Sequence, residues 1–213
     1  MRPSARTAAL FGLGYLALVA LAGLPLLRAP WPAVTMAPQV PGFLPGDGDP
    51  LYRLWWIDWL WAHPGALFES GARTDVLFAP FGAQLGLVQA QLVQGLAVLA
   101  LRPLGDPALA YAVLWALSFL FTASASAALA GDVSRSRPGA FLAGLLAAFS
   151  SPFFVHSLEH VFKYLGFGLV PLALLTLRRV LERGSGWAYG AFFVVSALVL
   201  LSDWYNALYV LVG

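Results

Sequence analysis

The sequence predicts an all-α polytopic membrane protein, with about five to six transmembrane helices and interfacial helices in a large first external loop. Three observations carry this. The 213 residues are 60% hydrophobic and 10% charged, whereas soluble domains carry about 25% charged residues. Mean hydropathy is +0.78. The few charges cluster between apolar runs, several of them near the roughly 20 residues a helix needs to cross a bilayer.

Composition also excludes some functions. The chain has no cysteine, so disulfides, thiolate chemistry and Cys-based metal sites are ruled out. Its net charge of +2 comes from basic residues at the ends of apolar runs, which is a topology signal and no nucleic-acid patch. Fifteen prolines and 21 glycines suit membrane helices and their loops.

Each element has its own signal. Arg2 and Arg6 precede the apolar run 8–27, which is too long for a signal-peptide core of about 7–15 residues and reads as an uncleaved anchor. A Pro-rich connector covers 28–50, and a tryptophan-rich helix follows at 51–63. A polar stretch with Glu69, Arg73 and Asp75 leads to 84–101, an apolar segment interrupted by Gln84, Gln89, Gln91 and Gln94. Further spans are expected at 107–130, 140–155, 162–177 and 187–201, and another begins at 207–213. All of 1–213 reads as a single transmembrane module, expected to be the N-terminal fragment of a longer protein because it stops within an apolar run.

Charge decides the topology. If 84–101 crosses the membrane, Arg135, Arg137, Arg178, Arg179 and Arg183 fall outside. If it lies at the interface or re-enters, all five fall inside with Arg2 and Arg6, as the positive-inside rule favours. The second arrangement makes 28–106 one external loop, with a cytoplasmic N-terminus. All three histidines then lie on the outer face. Asp132 and Glu182 remain inside, where they balance arginines.

The external polar residues are the candidate site. Asp49 precedes Pro50, a pairing that starts helices through an Asp cap and a Pro at the first turn. Its carboxylate is equally suited to a metal or an acceptor hydroxyl. Asp47, between two glycines, is the second acid. Trp55, Trp56, Trp59 and Trp61 read as a headgroup anchor, with sugar stacking as the functional alternative. His63, before Pro64, ends that helix. His156, Glu159 and His160 share one helical face and match a His-x-x-Glu-His pattern, but no downstream acidic ligand completes a protease site. With Lys163 one turn beyond, His156 and His160 suit a phosphate or diphosphate. Asp203 caps a following helix or joins the same cavity.

Several of these residues fall in an order that resembles the GT-C superfamily of polytopic glycosyltransferases. They are Gly-Asp-Pro at 48–50 with Trp55, Trp59 and His63 behind it, then Leu-Phe-Ala-Pro-Phe-Gly at 77–82 and Ala110-Tyr111. Ser151-Pro152, Val170-Pro171-Leu172 and Ser-Asp-Trp-Tyr at 202–205 complete the series. Where many members carry a second acidic motif, this chain has Glu159-His160. The resemblance implies hexosyl or pentosyl transfer from a polyprenyl-phosphate donor on the external face, with Asp49 in the position of the family's first-loop acid. Asp49 would orient or deprotonate the acceptor, directly or through a divalent cation (Mg or Mn) that Asp49 and Glu159 would ligate. His160, Lys163 and His156 would steady the departing phosphate, with Glu159, His63 and Asp203 in support. The competing reading is a non-enzymatic membrane protein, a carrier or lipid-handling assembly subunit. The bilayer is a partner in both.

Overall fold

A computed structural model of the chain describes residues 5–28, 49–69, 73–74, 83–84, 92–150 and 165–202. Helix α1 is Ala5–Arg28 and α2 is Asp49–Ala62, followed by a 3-10 turn at Pro64–Phe68. Strands β1 (Arg73–Thr74) and β2 (Ala83–Gln84) pair antiparallel, Arg73 opposite Gln84 and Thr74 opposite Ala83. Helix α3, Leu92–Ala100, leads through a 3-10 turn at Arg102–Leu104 into α4, Pro107–Ser134. Then come α5 (Arg137–Phe149), α6 (Leu169–Arg183) and α7 (Gly186–Ser202). Apart from the short ladder, the described elements are all helical.

Among the described residues, two helices are long and apolar enough to cross a membrane by length and composition: α1 over Arg6–Gly23 and α4 over Pro107–Ser134. Helix α7 is apolar at 17 residues, and α5 at 13. The expected span 140–155 runs past Ser150 into residues outside the described ones. The expected span 162–177 differs more. Gly166–Gly168 form a turn, and α6 begins after it, with Pro171 in the first turn, where no N–H is needed. It continues through Arg178 and Arg179 to Gly184, whose φ of 56° terminates it.

Local chemistry explains the boundaries of α4. Asp106 caps it by accepting a hydrogen bond from the Ala108 N–H at 2.8 Å, and Pro107 occupies the first turn. At its other end Arg135 takes φ 55°, and its N–H donates to the Gly131 carbonyl at 3.0 Å. Ser136 then caps α5 through the Gly139 N–H at 3.2 Å.

Helix α4 is the hub, in contact with α1, α2, α3, α5 and α6. Helix α5 lays a buried stripe of Ala140, Gly144 and Ala148 against it. One residue per turn at that spacing lets two backbones approach closely. A methyl group on Gly144 would overlap the Tyr15 hydroxyl and the Ala123 carbonyl, so α1, α4 and α5 meet at this glycine. The Tyr15 hydroxyl donates to the Phe141 carbonyl at 2.9 Å, and the two rings stack with centroids 5.1 Å apart. Helices α6 and α7 pair through Leu169, Ala173, Val195 and Val199, with Phe121 of α4 packed against them.

These contacts also set direction. Gly23 of α1 approaches Trp115, whereas Phe11 and Ala8 share a cavity with Gly131 and Arg135, so α1 and α4 are antiparallel. Helix α5 returns from Arg137 to Phe149, whose ring lies 5.3 Å from that of Phe119. Gly168, before α6, abuts Phe121, and Arg178 within α6 pairs with Asp132 at 3.2 Å. Each of α1, α4, α5, α6 and α7 therefore runs opposite to the one before. Arg178 also bonds Glu182 at 2.6 Å, so Asp132 of α4 and Glu182 of α6 are engaged by one arginine.

Candidate functional site

Helix α2 has two aromatic faces. Trp56, Ile57, Leu60 and Trp61 are buried and join one core cluster with Val98 of α3 and Ala110, Tyr111, Leu114 and Trp115 of α4. The Trp61 indole N–H donates to the Val98 carbonyl at 2.8 Å, fixing α2 on α3. On the other face, Trp55, Trp59 and His63 recur every four residues, so their rings overlie one another. Trp55 and Trp59 stack with centroids 6.1 Å apart, and Trp59 and His63 at 4.8 Å with planes 21° apart. Two of the four tryptophans thus build the core, and two form a partly open stack ending in an exposed histidine.

The protonation of that histidine follows from its partner. His63 Nδ1 lies 3.0 Å from the Trp59 carbonyl oxygen, which can only accept. The neutral ring therefore carries its proton on Nδ1 and keeps Nε2 as an acceptor, fit for a hydroxyl proton or a metal. Helix α2 opens at Asp49-Pro50, about one and a half turns before Trp55, as an Asp-Pro helix start requires.

Of the sequence candidates, His63 and the backbone of Asp49 fall within the described structure. Asp47, His156, Glu159, His160, Lys163 and Asp203 lie outside the described residues. The flanks of their segments are described, however. Phe149 contacts Phe119 and Gly168 contacts Phe121, so these described residues on either side of 151–164 both lie beside the middle of α4. Helices α2 and α3 pack on the N-terminal half of α4, beyond that level. Among the described residues no three His, Asp or Glu side chains converge as a metal site. Asp49 and Glu159 offer hard oxygen donors, the type Mg and Mn prefer.

The partly open stack sits among four similar rings, from which the family resemblance picks out Trp55 and Trp59 with His63. A periodicity signal existed: 55, 59 and 63 follow one helical row, and 56, 57, 60 and 61 another. No protein-family model matches this chain, and comparison with curated proteins and with solved structures gave no match.

Proposed function

We propose that this protein is a polytopic membrane glycosyltransferase acting on the external face. It moves a sugar from a polyprenyl-phosphate donor to an acceptor hydroxyl. The observation that carries this reading is the Trp55–Trp59–His63 stack on the helix that Asp49 opens. Exposed His63, at the open end of the stack, offers the apolar side of a pyranose a ring to pack on, and its Nε2 adds an acceptor for a hydroxyl. Asp49 orients or deprotonates the acceptor, and Asp47 is the second acid. His160, Lys163 and His156 offset the charge that builds on the departing phosphate, where fixed cations lower the barrier most. A divalent cation bound by Asp49 and Glu159 would supply Lewis acidity for the same step.

Membrane placement is supported by the outer surface of the bundle. Large apolar side chains stand exposed along whole helices: Leu13 at 63%, Leu146 at 69%, Phe193 at 74% and Trp187 at 86%. Soluble proteins rarely expose contiguous apolar surface on this scale. Helix α4, at 28 residues or about 42 Å, exceeds a hydrocarbon core of about 30 Å. Helices α2 and α3 surround its surplus N-terminal part, which suits interfacial helices. A non-crossing 84–101 keeps all five of the later arginines on one side of the membrane and gives five to six spans in all.

The test is transfer of radiolabelled sugar from polyprenyl-phosphate donors in membranes from cells producing this protein. Asp49→Asn should lower transfer by about 100-fold or more, the scale of a lost general base. Wild-type transfer by that variant contradicts the assignment, and Asp47→Asn separates the two acids. Solute uptake into vesicles without sugar transfer would instead identify a carrier.

A further inference from the structure

The opposite end of the bundle holds a cavity that the transfer reaction does not use. It measures about 890 Å³ and lies where α1, α4 and α5 diverge, with Arg179 of α6 reaching its rim. That volume is within the range of about 300–1,000 Å³ typical of ligand sites. Its walls are apolar and aromatic, with Phe11 and Tyr15 on one side and the alanines of α4 on the other. Its mouth carries Arg135, Arg137 and Arg179.

The charge at this mouth is not balanced from within the described structure. Asp132, also at the rim, is engaged by Arg178, which takes Glu182 as well. Among the described residues no carboxylate pairs with Arg135, Arg137 or Arg179. Three guanidiniums over an apolar slot match a molecule with a phosphate at one end and a hydrocarbon chain at the other. Basic pockets between membrane helices on the cytoplasmic side bind anionic headgroups for this reason.

We propose that this cavity holds an anionic phospholipid of the cytoplasmic leaflet. Its phosphate sits against Arg135, Arg137 and Arg179, and an acyl chain lies along Phe11, Gly12 and Tyr15. The assignment rests on the membrane placement but not on sugar transfer. Gly12 contributes to the slot by absence: nothing stands within 4 Å of where its Cβ would be.

Native mass spectrometry of the full chain in neutral detergent tests it, with dioleoyl phosphatidylglycerol and dioleoyl phosphatidylcholine as probes. The wild type should retain phosphatidylglycerol about tenfold or more over phosphatidylcholine, in keeping with a few favourable arginine contacts. The triple variant R135Q/R137Q/R179Q should lose that preference, and R102Q, an exposed arginine outside the cavity, should keep it. Gly12→Trp, which fills the slot and leaves the arginines in place, should lower retention of both lipids. Equal retention of the two lipids by the wild type overturns the proposal. So does a preference unchanged in the triple variant, or retention unchanged in Gly12→Trp. Displacement of the lipid by equimolar glycerophosphoglycerol overturns it in favour of a soluble phosphate ester. Alkaline carbonate extraction reads the membrane placement separately: release of the protein defeats the placement itself, whatever the lipid result.

Discussion

Arg135 is the only non-glycine residue with positive φ among the described residues. The left-handed conformation at a helix C-terminus normally falls to glycine, because a Cβ there crowds the following carbonyl. Gly105 and Gly184 occupy the equivalent conformation elsewhere in this chain. An arginine is held there at a cost that a glycine would not carry. Arg135→Gly should therefore stabilise the fold by about 1 kcal/mol while weakening phosphatidylglycerol binding. Thermal unfolding in detergent checks this, and a lower midpoint would contradict it. The Trp61–Val98 hydrogen bond has a different weight. The Leu101 N–H also reaches the Val98 carbonyl, at 3.1 Å, so that oxygen is not left bare without the indole. Trp61 matters most as a buried ring that fixes α2.

At the scale of elements, the contact between α4 and α5 depends on small residues. Gly144 is its tightest point, since any side chain there meets the Tyr15 hydroxyl and α4 backbone. Gly144→Leu should cost about 1–3 kcal/mol through overpacking, seen as a lower detergent unfolding temperature. Some of these elements were legible in the sequence. The Asp106-Pro107 start of α4 and the uninterrupted apolar run of α7 reappear almost as read. The range of α6 did not, because hydropathy stops at the first arginine whereas the helix does not. Arg178 and Glu182 pair one turn apart and carry it on to Gly184. The two faces of α2 were obscured for another reason: tryptophan is apolar enough for a core and flat enough for a stack, so composition could not sort Trp55 from Trp56. The cavity rim was beyond reading, since it joins Arg179 to residues of the first, fourth and fifth helices.

For the whole molecule, alternating helix directions separate two chemistries. Asp106, the start of α4 and the packed α2–α3 pair lie toward one end. Arg135, Arg137, Arg178, Arg179 and Arg183 lie toward the other. Asp49 opens α2, whereas Asp47 remains a neighbour outside the described residues. Of the candidate residues and their surroundings, the structure describes a helix start, an aromatic stack and one histidine.

The account depends above all on which side of a membrane each end faces. Because the chain has no cysteine, single Cys variants give an unambiguous readout with an impermeant maleimide. Leu104→Cys should label from outside intact cells, and Ser134→Cys and Ser185→Cys only after the membrane is opened. All three positions are exposed. Labelling of Leu104→Cys only after opening, or of Ser134→Cys from outside, would contradict the account.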